Sequence, residues 1–86
     1  MANGNENQLL VDTLQEEVHR EYVRLLTEEA SRQNLNYNRM TIAAEKNAAM
    51  TYRMLDPRNN VTLKTMVGYA AVLGKKLKID FVDIDD

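Results

Sequence analysis

The densest group of side chains that could do chemistry lies in the first quarter of the sequence, where Glu16, Glu17, His19 and Glu21 fall within six residues. On a helix, Glu16 and His19 are i, i+3 neighbours, a spacing that occurs in metal sites. The sequence holds no cysteine and no second histidine, so the pair lacks the further nitrogen or sulfur ligands that zinc takes. We interpret the group as a charged, solvated helix face and expect no enzymatic activity, no metal site and no cofactor.

A second set of charged groups is basic and lies in the middle of the chain. Residues 37–78 hold eight Lys and Arg and two acidic residues, whereas residues 1–36 carry a net charge of −4. Residues 79–86 add four aspartates, and the whole chain has a net charge of −2. A concentrated positive segment attracts phosphates even when the whole chain is acidic. We interpret the acidic end as a solubilising tail; a second interpretation is that it covers the basic face until a ligand displaces it.

Size and composition indicate one small helical domain. The chain has 86 residues, 44 % of them hydrophobic, with one proline, three glycines and no cysteine. No apolar run approaches the roughly 20 residues of a membrane span, and no secretory leader is visible. We expect a cytoplasmic protein with no membrane partner, in which a second copy supplements a small core.

The first part of the chain predicts one long helix. We expect residues 1–7 to be disordered and residues 8–34 to form a helix that serves in part as a dimer or partner surface. Its apolar positions recur at helical spacing and are Leu10, Leu14, Val18, Tyr22, Leu25, Leu26 and Ala30. A helix of about 25 residues is nearly 40 Å long, more than one small core can cover. Either it breaks near the middle, or its first half packs on a partner chain.

Residues 35–86 predict three shorter helices and a strand. Asn36 is a capping residue for a helix from Tyr37 to about Ala44, and a third helix follows over residues 48–55. Asp56 to Asn60 is a loop that contains the single proline. Thr62 is a capping residue for the helix 62–73, and Gly74 suits the left-handed position that ends a helix. We expect Met40, Met50, Met54 and Met66 to fill core.

The end of the chain predicts a β-strand over about residues 76–84, in which apolar residues alternate. A single strand cannot pair its own backbone groups, and nothing else in the sequence predicts a strand. The same strand of a second copy is the simplest partner, paired antiparallel across a two-fold axis. The expected dimer interface consists of Tyr69, Leu77, Ile79, Phe81 and Val82.

This order of elements resembles the lambda-repressor/Cro-like helix-turn-helix family, and it is most similar to small HigA-type antitoxins and phage regulators. The resemblance covers roughly residues 23–82. It is carried by the runs Asn60-Val61-Thr62-Leu63, Ala70-Ala71-Val72-Leu73-Gly74, Arg53-Met54-Leu55 and Leu35-Asn36. Two departures are Glu45, where the family has a turn glycine, and Thr51 with Lys46, where it has small apolar residues.

The resemblance implies a DNA-binding repressor that acts as a homodimer on double-stranded DNA with a palindromic operator. Its third helix would enter the major groove and read bases. The outward-facing residues would be Asn47, Ala48, Ala49, Tyr52 and Arg53. Flanking phosphate contacts would come from Arg39, Lys46, Arg58 and Lys64. The alternative is a protein of the same fold that binds a protein target, such as a toxin or a host protein, instead of DNA.

Overall fold

The computed structural model describes the backbone of residues 4–84 and the side chains of residues 7–84. Four helices follow one another in this part of the chain: α1 Gly4–Arg32, α2 Tyr37–Ala43, α3 Ala48–Leu55 and α4 Leu63–Val72. The protein is therefore mainly α-helical, as the sequence predicts. Within the same residues, no helix has the combination of length and apolarity that crossing a membrane requires.

Helix α1 runs through 29 residues without a break. At the standard rise it is about 43 Å long, close to the 46 Å longest dimension of the protein. It begins at Gly4, before the predicted start near Gln8, so only residues 1–3 of the expected disordered start remain outside the described residues. Because α1 does not break, its first half extends beyond the core. Part of the surface of this first half is therefore not covered by the rest of the chain.

The starts of the three shorter helices are set by side-chain caps. The side chain of Asn36 accepts from the backbone N–H of Arg39 at 2.8 Å, and that of Thr62 accepts from Thr65 at 3.2 Å. Both predicted caps are confirmed. Asn47 caps α3 in the same way, because its Oδ1 accepts from the N–H of Met50 at 2.8 Å.

Three helices end in the same backbone motif, with a residue at positive φ. These residues are Asn34 (φ 58°), Glu45 (φ 57°) and Gly74 (φ 73°). After each, the next N–H bonds back across the last turn, as in the 3.0 Å bond from Lys46 to the carbonyl of Thr41. The left-handed position of Gly74 is thereby confirmed. Glu45 takes the conformation for which the resembled family uses glycine, so this departure in residue type leaves the turn geometry intact.

The core lies between α1 and the three shorter helices. Its buried members are Tyr22, Leu26, Ala30, Met40, Met54, Tyr69 and Leu73. The expectation that the methionines fill core holds for Met40 and Met54, and Met66 packs partly buried against the core, whereas Met50 is exposed. The predicted stripe of α1 is wrong at Leu10, Val18 and Leu25, which are 44 %, 65 % and 52 % exposed. The buried stripe of α1 runs through His19 instead, because the helix is rotated so that this side chain faces α3.

A chain of buried hydroxyl groups joins α2, α3 and α4. The hydroxyl of Thr51 lies 2.6 Å from that of Thr41 and 2.7 Å from that of Tyr69. Thr41 in turn donates to the carbonyl of Tyr37 at 2.7 Å. Thr51 is therefore satisfied where the resembled family has a small apolar residue. Tyr69 was predicted at the dimer interface; it is instead fully buried in its own chain, because its hydroxyl reaches across to α3.

The chain leaves the helical body after α4. Residues 75–84, which we call the C-terminal segment, form neither helix nor strand in this single chain. Leu77 packs partly against the core, whereas Ile79, Phe81, Val82 and Ile84 are exposed. Pairing of this segment with a second copy remains a prediction, since a strand needs a neighbour to bond with.

Candidate nucleic-acid interface

Helix α3 presents one face to solvent and buries the other. Thr51 and Met54 are buried, whereas Ala48, Ala49 and Arg53 are exposed. Tyr52, on the same outer face, is 67 % exposed. This placement follows from helical periodicity, since Thr51 and Met54 lie three residues apart on the face that meets α2 and α4. The five residues predicted to face outward, Asn47, Ala48, Ala49, Tyr52 and Arg53, all do so.

Asn47 has a structural role that limits its use in base recognition. Its side-chain oxygen already accepts the N–H of Met50 as the cap of α3. An asparagine that reads adenine both donates and accepts with its amide group. The capping bond holds the amide in one orientation and uses one of the two lone pairs of its oxygen.

Four cationic side chains between residues 39 and 64 have no acidic partner within the described residues. Arg39 lies in the first turn of α2, Lys46 precedes α3, Arg53 lies in its last turn, and Lys64 lies at the start of α4. All four are exposed, and within residues 7–84 none of them forms an ion pair. Their charges are therefore directed to solvent and to any anion that approaches α3.

Arg58 differs from these four because it is paired. Its Nε and Nη2 donate to the two carboxylate oxygens of Asp56 at 3.1 and 2.9 Å, and its backbone N–H donates to Oδ1 at 3.0 Å. The side-chain bonds from Arg58 hold the pKa of Asp56 at about 2, below its ordinary value of 3.8. Arg58 was predicted as a phosphate contact; its charge is largely balanced by Asp56, so we expect a weaker contribution from it.

The cations of α1 are paired as well. Arg20 bonds Glu16, Arg24 bonds Glu21 and Glu28, and Arg32 bonds Glu29. These are i, i+3 and i, i+4 pairs on a helix surface, of the kind that supports helix formation. Within residues 7–84 the cations without an acidic partner all follow α1, and α1 presents balanced or negative charge; these cations are Arg39, Lys46, Arg53, Lys64, Lys76 and Lys78.

A buried histidine connects α1 to α3. The Nε2 atom of His19 lies 2.5 Å from the carbonyl oxygen of Met54, and the His19 side chain is buried. The interpretation of His19 as part of a solvated face is therefore wrong. The helical spacing of His19 with Tyr22, Leu26 and Ala30 is the signal that could have placed it in the core. In the described residues, no group of three or more His, Cys, Asp or Glu is arranged to hold a metal.

An apolar groove lies beside this contact, and sequence reasoning did not locate it. We call it the α1 groove; it has a volume of about 370 Å³ and lies between the first half of α1 and the start of α4. Its lining residues are Val11, Leu14, Gln15, Val18, His19, Val61 and Met66. The predicted partner surface on the long helix lies at the same position as one wall of this groove. The other wall, formed by Val61 and Met66 at the start of α4, was not predicted.

Comparison of the chain with protein-family models, with curated proteins and with solved structures finds no match.

Proposed function

We propose that the chain is a sequence-specific DNA-binding regulator that represses transcription as a homodimer on a palindromic operator. The observation that carries the proposal is the exposed face of α3 together with four unpaired cations on α2, on α4 and at the two ends of α3, Arg39, Lys46, Arg53 and Lys64. The major groove of DNA admits one α-helix, and cations beside that helix attract the phosphates on either side.

The order of elements supports the same proposal. A short α2, a turn at positive φ, an exposed α3, a loop and a capped α4 resemble the lambda-repressor/Cro-like helix-turn-helix. Proteins of that kind bind two half-sites about 34 Å apart through two recognition helices. We propose that the C-terminal segment supplies the dimer contact, its backbone pairing as an antiparallel strand with that of a second copy.

Each residue of the interface has a proposed role. Arg53 and Tyr52 would contact guanine edges or phosphates, and Ala48 and Ala49 would touch thymine methyl groups. Asn47 would contribute mainly its NH₂ group, because its oxygen also caps α3. The remaining unpaired cations would bind phosphates, which position the protein without reading sequence.

A salt titration with duplex DNA tests the proposal. Binding to mixed-sequence fragments should fall as salt rises, with a log–log slope of about −0.9 for each phosphate neutralised. Four cations in each of two protomers would give a slope near −7 by that relation. Lys46→Gln should reduce the slope by about 2 per dimer. Arg20→Gln removes the same charge from the side of α1, where it is paired with Glu16, and should leave the slope unchanged.

Sequence preference is tested in the same system. Selection from random duplexes should enrich an inverted repeat whose half-sites are centred about one helical turn apart. Absence of binding at low salt would contradict the proposal. Binding without any enriched sequence would reduce the function to non-specific DNA association.

A second candidate function is a protein-binding inhibitor or adaptor. It is favoured because α3 has few long polar side chains that could read bases. Its first two residues are Ala48 and Ala49, and Asn47 is used as a cap. A protein target, such as a toxin or a host protein, would then meet the cationic face with an acidic surface. Failure of all low-salt DNA binding by a folded protein would select this function.

A further inference from the structure

The backbone of the C-terminal segment is unpaired in the single chain. Within the described residues, the last bond between backbone groups is the one from the N–H of Lys75 to the carbonyl of Ala70, at 3.0 Å. Residues 76–84 follow without helix or strand. Such a segment has an open edge to which a second strand can bond. The proposed homodimer supplies that strand, and the side chains of the segment indicate how the two strands align.

The side chains of the segment divide into two faces, because alternate residues of a strand point to opposite sides. One face has three apolar residues between a cation and an anion, whereas the other is mainly charged. The first face consists of Lys75, Leu77, Ile79, Phe81 and Asp83, and the second of Lys76, Lys78, Asp80 and Val82. Leu77 is half-buried and packs against the core, so the first face is directed to the helical body and the second to solvent.

Two-fold symmetry limits the possible alignments. In an antiparallel pair related by a two-fold axis, the axis passes between two copies of the same residue, and each residue opposes one of its own face. An axis at Lys78 or Asp80 would place like charges directly opposite each other, which is destabilising. An axis at Phe81 would place Ile79 opposite Asp83. Ile79 is the remaining position in the middle of the segment.

An axis at Ile79 matches charge with charge and apolar with apolar groups. It places Leu77 opposite Phe81, Lys78 opposite Asp80 and Lys75 opposite Asp83, each pair occurring twice in a dimer. Lys76 opposite Val82, on the solvent face, is the mismatched pair. Opposite charges and apolar groups in direct cross-strand positions stabilise a sheet.

The Lys78–Asp80 pair is the more informative of the two charge pairs. Lys78 forms no ion pair within residues 7–84. One carboxylate oxygen of Asp80 accepts from the N–H of Phe81 at 2.8 Å, so the other oxygen is left for a cation. Lys75, by contrast, already lies 3.9 Å from Glu29 of its own chain, which reduces the gain from pairing with Asp83.

We propose that the C-terminal segments of two copies pair antiparallel with Ile79 opposite Ile79 on the two-fold axis, so that Lys78 of each chain pairs with Asp80 of the other. The inference rests on the homodimer of the proposed function, specifies its interface and does not require DNA. Leu77, Ile79 and Phe81 of both chains then form one apolar layer directed to the two helical bodies. The amphipathic order of the segment thereby serves a single alignment.

A cysteine scan tests the alignment directly, because the chain has no cysteine of its own. The Cβ atoms of directly opposed residues lie about 4.5–5.5 Å apart, a distance that a small adjustment closes to that of a disulfide. Ile79→Cys should therefore form a linked dimer on mild oxidation with glutathione, seen on a non-reducing gel. Val82→Cys is the matched control. Its two copies would lie about 20 Å apart along the strands, so it should link far more slowly.

The neighbouring positions report the competing alignments. Asp80→Cys would link fastest if the axis passed through residue 80, and Phe81→Cys if it passed through residue 81. Faster linking at either position than at Ile79→Cys overturns the proposal. Equal rates at all four positions would indicate parallel pairing or random collision, which also overturns it.

An exchange of charges tests the same alignment without oxidation. Lys78→Asp and Asp80→Lys each place like charges opposite each other in both copies of the pair. Each should raise the dimer dissociation constant by about tenfold, measured by sedimentation velocity of the full chain. Both side chains are exposed, so folding should be retained, which circular dichroism checks. Lys76→Asp makes the same change of charge opposite Val82 and should have a smaller effect.

Mixing the two charge variants should restore the dimer. In a heterodimer of Lys78→Asp with Asp80→Lys, both pairs again bring opposite charges together, so the mixture should form dimers that neither variant forms alone. An equimolar mixture of Lys76→Asp with Asp80→Lys has the same net charges and should gain much less. A Lys78→Asp and Asp80→Lys mixture that stays monomeric, or equal recovery in both mixtures, overturns the alignment.

The result is separable from the proposed function. A dimer that is insensitive to both charge variants overturns the alignment and leaves the DNA-binding proposal intact. A dimer that behaves as expected but shows no salt-dependent DNA binding supports the alignment and overturns DNA recognition. A monomeric unchanged chain overturns both the alignment and the homodimer.

Discussion

The imidazole of His19 and the carbonyl of Met54 form a 2.5 Å contact that joins the middle of α1 to the last turn of α3. The histidine is buried, and the carbonyl belongs to the end of a helix, where acceptors lack intrahelical partners. The contact therefore satisfies two buried polar groups at once and fixes the exposed helix against the longest helix of the fold.

Loss of this contact should destabilise the protein. His19→Phe keeps an aromatic ring and removes the nitrogen, so the carbonyl of Met54 loses its partner, and we expect a loss of about 1–3 kcal/mol in the free energy of unfolding. Val18→Ala, at the exposed neighbouring position, should change it by less than about 0.5 kcal/mol. Urea unfolding measures both. Equal stability of His19→Phe and the unchanged chain would mean that the contact is not stabilising.

The Asp56–Arg58 pair should make stability depend on pH in the acid range. The pKa of Asp56 is about 2 in the folded chain against an ordinary 3.8, so ionised Asp56 favours the folded state above about pH 4. That contribution is lost as the pH falls from about 4 to 2. Asp56→Asn should therefore show a shallower fall in melting temperature over this range. Arg58→Ala should flatten the curve similarly, and unchanged curves for both variants would contradict the assignment.

Because of the buried hydroxyl chain, the hydroxyl of Tyr69 should contribute far more to stability than that of Tyr52. Tyr69→Phe leaves the hydroxyl of Thr51 without one of its two partners and should lower the free energy of unfolding by about 1–2 kcal/mol. Tyr52→Phe removes the same atom from an exposed side chain and should be nearly neutral. Chemical denaturation of the two variants in parallel provides the comparison. A neutral Tyr69→Phe would show that the chain of hydroxyls adds nothing to stability.

The turn between α2 and α3 should be improved by glycine. Glu45 has φ 57°, a conformation that disfavours side chains with a Cβ by about 1–2 kcal/mol. Glu45→Gly should therefore stabilise the protein by about 1 kcal/mol, less the entropy that glycine gains on unfolding. Glu17→Gly, within α1, should instead destabilise by up to about 1 kcal/mol. Thermal melts in which both variants lose stability would contradict the assigned role of the positive φ.

Arg53 should contribute more to DNA binding than Arg58, because Arg58 is paired with an acidic group and Arg53 is not. Arg53→Ala removes an unpaired charge at the face of α3 and should weaken operator binding by about 1–3 kcal/mol if Arg53 reads guanine. Arg58→Ala removes a charge already balanced by Asp56 and should have a smaller effect. Fluorescence anisotropy titrations at fixed salt compare the two. A large loss of stability in Arg53→Ala would instead mean that Arg53 is structural.

Local signals in the sequence were enough for the starts of α2 and α4 and for the end of α4. Asn36 and Thr62 cap through bonds to residues three positions away, and Gly74 ends α4 through bonds within its last turn. Such interactions depend on the neighbouring few residues alone, which is why residue type and spacing predict them. The outward placement of α3 was predictable for the same reason, since helical periodicity separates its buried and exposed faces.

The contacts between helices required the tertiary structure. Val18 and His19 are neighbours in sequence, yet Val18 is exposed and His19 is buried, because the rotation of α1 against α3 decides which of them faces inward. The packing of the helices also places Tyr69 of α4 against Thr51 of α3 and forms the α1 groove. The sequence by itself therefore determined the order of the helices, the caps at Asn36 and Thr62 and the concentration of basic residues after α1, since these depend on local order along the chain. The tertiary structure decided which side chains meet, since partners 18 to 45 residues apart are brought together only by packing.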